Sequence, residues 1–311
     1  MVTSGAAPQG ARAAGYRLLG RSFDYILHLR PAEWPIMAGH TALGALLAAT
    51  AWPADSPLPW KHALLGIVLW VACLNGGTLA INSAFDRDES DVAYLRRPPP
   101  PPPHLFAWGL GLMAAGQVLA LALLSPGYAA AYGTCLVLSV LYSVPPWRLK
   151  AVAGADWAIN LIGFGAITPL AGWLALGARP TTWAWWLVAG FGALFACLYP
   201  LTQLYQLQED EKRGDWTLAR RLGAPRSLRV ALSATLLAFA CFGIAGRAAG
   251  WSLPDWRWLA LAGALAAWLA VLGPWAATAG SRLPAEHQRG MYLALAAWAV
   301  TDVVIAACWL A

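Results

Sequence analysis

Apolar residues run along this chain in blocks of about twenty, separated by short polar turns. Each block is long enough to cross roughly 30 Å of hydrocarbon at about 1.5 Å per residue. Hydropathy and length predict nine membrane-spanning helices, near 34–51, 62–84, 105–124, 127–144, 156–176, 183–206, 227–248, 256–279 and 290–310. Only Ser125, Pro126 and Gly127 separate the third span from the fourth. Gly163, Gly165, Pro169, Gly172 and Pro200 fall inside spans, which predicts close helix packing or kinks, because neighbouring helices satisfy the backbone groups that are freed.

Composition agrees with the pattern. At 311 residues, 59% hydrophobic, 12% charged and with 19 Trp, the chain lies outside soluble-domain norms, which excludes a soluble scaffold. No cleavable signal peptide is expected, and residues 1–30 are expected to form a basic, mobile tail on a single domain covering 1–311. The cysteines at 73, 135, 197, 241 and 308 stand singly in apolar stretches, so neither a disulfide framework nor a zinc site is expected. The five histidines are equally dispersed and carry no assigned chemistry. Trp183, Trp185 and Trp186 at the start of span six read as an interfacial belt.

Charge placement predicts topology. With the N-terminus in the cytoplasm, 17 of the 21 Lys and Arg fall on that side and only Lys61, Arg179, Arg247 and Arg257 on the other. This is the positive-inside bias, and it places the C-terminus outside. Six consecutive prolines, Pro98 to Pro103, read as a stiff rod about 19 Å long leading into span three.

The candidate chemistry sits in two loops on the basic side. Asn82-Ser-Ala-Phe-Asp-Arg-Asp-Glu-Ser-Asp91 follows the second span and places Asp86, Asp88, Glu89 and Asp91 within six positions. Such crowding at the end of an apolar helix calls for a cation, and hard oxygen donors suit Mg²⁺. Glu209-Asp210-Glu211 with Asp215 follows the sixth span. Two facing carboxylate clusters are a means of holding a diphosphate through bridging Mg²⁺. Asn82 and Asp86, four apart, share a helical face, whereas Asp86 and Asp88 do not, so the helix must turn after Asp86 if Asp88 or Asp91 also binds metal. Glu211 and Asp215 are four apart, and Gly214 between them predicts a bend.

These segments resemble the UbiA superfamily of intramembrane prenyltransferases, with Asn82 to Asp91 standing for its first acidic motif and Tyr205 to Leu218 for its second. A third matching segment is Leu141-Tyr-Ser-Val-Pro-Pro-Trp-Arg-Leu-Lys150, followed by Asn160 and Gly163. The last acid of the first motif lies nine residues from Asn82 rather than eight, with Ser90 at the usual place. The outer aspartates of the second lie five apart, with Glu211 as a possible replacement for one of them.

The resemblance implies an all-α polytopic membrane protein, its nine helices bundled around a central apolar cavity capped by cytoplasmic loops. It implies a bacterial or archaeal cytoplasmic membrane. Asn82, Asp86, Asp88, Asp91, Asp210, Glu211 and Asp215 would hold Mg²⁺. Asn82, Arg87, Arg148, Lys150 and Lys212 would bind the diphosphate, with Asp86, Asp210, Lys150, Arg148 and Tyr142 as the catalytic set. Tyr142, Tyr199, Tyr205 and Trp157 lie near the polar loops and are candidates to stabilise a cation. The expected partners are a prenyl diphosphate, a lipophilic acceptor such as a quinone precursor, and membrane lipid, with no nucleic acid. A terpene cyclase with the same ionisation step is the alternative. A cation-coupled transporter is disfavoured because the spans are almost free of charge, Asp302 being the chief exception.

Overall fold

The computed structural model describes residues 10–86 and 95–311, and these are almost entirely helical. In chain order the helices are α1 (Ala11–Leu19), α2 (Phe23–His28), α3 (Trp34–Thr50), α4 (Trp60–Asp86), α5 (Leu105–Leu123), α6 (Pro126–Ser143), α7 (Ala155–Ala175), α8 (Thr182–Gln203), α9 (Leu207–Arg213), α10 (Leu218–Ala248), α11 (Trp256–Ala277) and α12 (Pro284–Leu310). Seven of the described helices, α4, α5, α7, α8, α10, α11 and α12, are long and apolar enough to cross a membrane. With α3 at 17 residues and α6 at 18, they account for the nine predicted spans. The chain is an integral membrane protein of helical bundle architecture.

Helix ends follow local chemistry. Ser125 caps α6 by accepting from the Tyr128 N–H at 3.1 Å, and Thr181, Thr217 and Asp255 cap α8, α10 and α11 in the same way. α10 begins nine residues earlier than the hydropathy of the seventh span predicts. A break at Gly223 (φ 70°) separates its short polar first turns from the apolar remainder.

Two close approaches set the bundle. A Cβ built on Gly44 of α3 would lie 1.8 Å from the Pro169 carbonyl oxygen of α7, and one on Gly172 of α7 would lie 1.8 Å from the Thr41 carbonyl oxygen. The two backbones therefore touch where no side chain fits, as small residues allow in membranes. α4 and α7 each contain a π-helical stretch, Leu69–Asn75 and Leu161–Ile167. These are the widened turns that recur at functional sites. A hydrogen-bond chain links them: the Trp70 indole donates to Thr168 Oγ1 at 3.2 Å, and that hydroxyl donates to the Gly163 carbonyl at 3.1 Å.

The stretch expected as a mobile tail is helical where it is described. Arg12 donates to the carbonyls of Arg96 and Arg97 at 2.9 and 3.1 Å, and Leu27 and Leu29 are buried. These contacts tie α1 and α2 to the lead-in of α5, where Tyr25 Oη also donates to the Pro103 carbonyl. Arg30, counted as a topology charge, is buried at 5% exposure.

We expect Gly172→Leu to cost at least about 1–3 kcal/mol, the usual range for overpacking. A lower unfolding temperature in detergent checks this, with Gly39→Leu, which meets nothing within 4 Å, as the control.

Candidate active site

One cavity of about 360 Å³ runs into the bundle between α3, α4, α6, α7, α8 and α12. Its mouth carries Asn82, Asp86, Tyr205, Glu209 and Arg213, and its deeper wall Trp70, Leu74, Leu138, Phe164, Phe195 and Trp298. Trp60, Trp185 and Trp256 are exposed at the starts of α4, α8 and α11, the end of the bundle away from this mouth.

The sequence builds the mouth from three places. α4 delivers Asn82 and Asp86 on one face, four residues apart at its last described turn. The loop after α6 delivers Arg148 and Lys150. Arg148 adopts a left-handed backbone conformation (φ 35°, ψ 53°), which is sparsely populated for a residue with a side chain. Hydrogen bonds at 3.0 Å on both sides hold it, from its own N–H to the Val144 carbonyl and from the Ala151 N–H to its carbonyl. α9 ends at Gly214, whose positive φ of 75° turns the chain back so that the Asp215 N–H reaches the Asp210 carbonyl at 2.9 Å. The Trp216 N–H then donates to the Ala151 carbonyl at 3.1 Å. That bond joins the second and third segments directly, within a parallel bridge between Val152 and Trp216.

The side chains converge accordingly. Lys150 Nζ donates to Asn82 Oδ1 at 2.6 Å and forms an ion pair with Asp86. Arg148 is bidentate to Asp215, with its second contact at 3.3 Å, and also reaches Asp86 Oδ1 at 3.2 Å. Arg213 donates to Asp210 Oδ1 at 3.0 Å and lies 3.5 Å from Asp215 Oδ2. Thr217 donates to Asp210 Oδ2 at 3.1 Å. Burial pushes the Lys150 ammonium below its ordinary pKa, against the pull of Asp86. Burial also lowers Arg148, but Asp215 and Asp86 outweigh it and raise the net value. Asp210 is raised by burial, opposed by Arg213 and Thr217.

Asp156 is fully buried behind this array. Its carboxylate accepts from the Gly154 and Leu218 N–H groups at 2.8 and 2.9 Å and from Gln203 Nε2 at 2.9 Å. It thus clips together the start of α7, the end of α8 and the start of α10. Gln203 also donates to Tyr199 Oη at 3.1 Å, and Tyr199 shares a 2.9 Å hydrogen bond with Tyr142. Both tyrosines and Asn160 line the cavity.

Of the residues singled out from sequence, Asn82, Asp86, Arg148, Lys150, Asp210 and Asp215 meet at the mouth, with Tyr142 just below. Glu211 does not join them: its side chain is 73% exposed and faces Arg220 at 3.7 Å, because Gly214 ends the helical spacing that would pair it with Asp215. Lys212 is exposed and absent from the cavity wall; its neighbour Arg213 takes the place beside the carboxylates. Arg87, Asp88 and Asp91 lie outside the described residues. Arg213, Asp156, Gln203 and Thr217 were not singled out, although a carboxylate at the head of an apolar span was a visible signal for Asp156.

The convergent donors are hard oxygens, with no sulfur or imidazole among them, which fits Mg²⁺ by chemistry. Among the described residues no three His, Cys, Asp or Glu form a metal cage. Mg²⁺ is usually bound by one or two carboxylates with substrate phosphates and water, so this sparse donor set is of the right kind.

Helices of membrane length around an apolar cavity with a charged mouth define a class of intramembrane protein. Within that class the chain belongs to the UbiA prenyltransferase family, whose model matches residues 41–296. No curated protein matches the sequence. Among solved structures it is similar to a UbiA homologue from Archaeoglobus fulgidus bound to DMAPP and Mg²⁺, with 17% identity, a TM-score of 0.63, and coverage of 91% of this chain and 99% of that one. It is also similar to a digeranylgeranylglyceryl phosphate synthase (14% identity, TM-score 0.68, coverage 92% and 97%) and to a UbiA homologue from Aeropyrum pernix K1 (18%, 0.62, 89% and 96%).

Asp156→Ala strands three donors and is expected to cost about 3 kcal/mol. Thermal unfolding of the purified variant, read against Glu211→Ala, which should be neutral, checks it.

Proposed function

We propose that the protein is a Mg²⁺-dependent intramembrane prenyltransferase that ionises a prenyl diphosphate and transfers the prenyl group to a lipophilic acceptor, an aromatic ring or quinone precursor. The observation that carries this reading is the meeting of Asp86 with Asp215 through Arg148, from helix ends about 130 residues apart, above an apolar cavity. Membership of a prenyltransferase family supports it, as do relatives of the same fold solved with DMAPP or GPP and Mg²⁺.

In this reading Asn82, Asp86, Asp210 and Asp215 would hold the metal. When bound, Mg²⁺ neutralises the diphosphate as it leaves and so assists heterolysis of the allylic C–O bond. Arg148, Lys150 and Arg213, already aimed at the carboxylates, take the non-bridging oxygens and stabilise the charge that builds on the leaving group. The prenyl tail lies in the apolar cavity. Tyr142, Tyr199 and Phe195, the last two stacked at 6.5 Å between centroids, turn aromatic surface toward the carbon that becomes cationic. The dry wall keeps water from quenching it before the acceptor attacks. In this reading the mouth lies on the cytoplasmic side, which the charge bias of the loops supports.

Asp86→Ala and Asp210→Ala should each lower Mg²⁺-dependent diphosphate release by at least about a hundredfold, since even residues behind metal ligands are worth up to that factor. The protein should remain in the membrane. EDTA should stop turnover and Mg²⁺ restore it. Unchanged turnover in both variants would remove the metal assignment. Mass spectrometry of products from a panel of prenyl diphosphates, with and without an aromatic acceptor, identifies the second substrate.

A further inference from the structure

The cavity ends at a hydrogen-bonded floor. On four of its helices the lining residue furthest from the mouth is His40 of α3, Trp70 of α4, Thr168 of α7 and Trp298 of α12, all of them buried. Two small networks lock these side chains. The Trp70 indole donates to Thr168 Oγ1 at 3.2 Å, and Thr168 donates in turn to the Gly163 carbonyl. His40 Nδ1 lies 3.2 Å from Asp302 Oδ2, and the Trp298 indole donates to that same oxygen at 3.2 Å. Directly beneath, α3 and α7 touch backbone to backbone, Thr41 against Gly172 and Gly44 against Pro169. Thr41 and Pro169 follow His40 and Thr168 in the chain, so the closed part of the bundle begins where the cavity stops. Phe191, fully buried, packs edge-on against His40 with centroids 4.9 Å apart.

The depth of the floor can be set against the length of a prenyl tail. Twelve residues of α4 separate Asn82 at the mouth from Trp70, about 18 Å at the helical rise. An extended chain advances about 1.2 Å per main-chain bond, since the three bonds of a peptide residue span up to about 3.6 Å. An isoprene unit adds four such bonds, so three units span about 14 Å and four about 19 Å. We propose that this floor limits the bound isoprenoid to three units, a farnesyl tail, and that His40 and Trp70 are the residues that stop it. This rests on the reading that a prenyl diphosphate binds with its charged end at the mouth.

The polarity of the floor is what makes it a stop. A fourth unit enters only if the His40 or the Trp70 ring is displaced. Displacement breaks a hydrogen bond to Asp302 or to Thr168 in an apolar interior, and polar groups left unpaired there are costly. A floor of leucines would yield more cheaply, by a change of rotamer. An ionisable pair at this depth is itself expensive to keep, and such groups mark function. The departure of diphosphate at the mouth makes no use of it; the selection of tail length does.

The test uses full-length protein in detergent with Mg²⁺ and isothermal titration calorimetry. The probes are geranyl, farnesyl and geranylgeranyl thiolodiphosphates, whose C–S bond resists ionisation. Affinity should rise from geranyl to farnesyl as more apolar surface is buried. It should then fall at least about tenfold, or about 1.4 kcal/mol, at geranylgeranyl. His40→Ala should recover most of that loss and leave the geranyl affinity at the wild-type value, because a two-unit tail does not reach the floor. Leu138→Trp, on the α6 wall one turn nearer the mouth than Cys135, empties no cavity and should move the limit up, weakening farnesyl while sparing geranyl. Equal binding of farnesyl and geranylgeranyl by the wild type, as for a tail that leaves sideways between helices, overturns the limit and leaves the transferase reading standing. A farnesyl preference undiminished in His40→Ala overturns the part assigned to His40. Loss of geranyl binding in a variant whose size-exclusion profile matches wild type overturns the depth assigned to the floor. No binding of any analogue with Mg²⁺ present removes the prenyl diphosphate reading itself.

Discussion

The structure of the site depends on Arg148. Its guanidinium holds Asp215 with two hydrogen bonds and Asp86 with a third, and so joins a loop after α8 to the end of α4. A planar fork does this where a lysine could not, because one cation must satisfy two carboxylates in fixed directions. The backbone conformation that aims it, left-handed at a residue with a side chain, is held by its hydrogen bonds to Val144 and Ala151, and the bond from Trp216 to Ala151 ties that loop to the turn after α9. Asp86, Asp210 and Asp215 stand against Arg148, Lys150 and Arg213, so these six charges sum to zero. A diphosphate arriving alone would upset that balance in a half-buried site; one arriving with divalent cations would not. The requirement for metal is in this sense written into the protein cations as much as into its acids.

The scaffold makes this balance possible by placing the charge where water remains. α4 and α8 are apolar over most of their length, and the polar side chains they bring to the mouth come from their last turns. Lipid leaves no other option, since unpaired backbone and charge are both too costly in hydrocarbon. The glycine contacts draw the middle of α3 against the last turns of α7, and the π-helical stretches of α4 and α7 line the cavity with Trp70, Asn75, Gly163 and Phe164. Asp156 then fixes three helix ends at one point, so that the carboxylates of α9 and the turn after it are held by a buried, fully bonded anchor.

Much of this was legible in the sequence. The spans could be read because the bilayer imposes length and hydropathy on any helix that crosses it, and Asn82 with Asp86 because a spacing of four persists to the last described turn of α4. The second motif was less readable. Spacing alone pairs Glu211 with Asp215, but Gly214 ends α9 and folds Asp215 back onto Asp210. Lys212 and Arg213 are adjacent cations that composition cannot separate; the helix phase faces one toward the acids and the other toward solvent. Arg30 counted toward topology as one more basic residue, and its burial against Ser83 of α4 could not be read from any local pattern. His40 and Asp302 lie 262 residues apart, so a lone histidine and a lone aspartate became a pair only when α3 packed against α12.

The cavity divides into a charged mouth and an apolar interior. In the proposed reaction, charge at the mouth would serve a leaving group that is itself charged and hydrated, where the protein supplies cations and carboxylates. Further in, a cation on carbon has no such partner, and the wall offers aromatic faces from Tyr199 to Trp298. Aromatic faces stabilise a cation without capturing it, so they lengthen its life but cannot end the reaction. In the proposed reaction, ending it takes a nucleophile brought in beside the mouth.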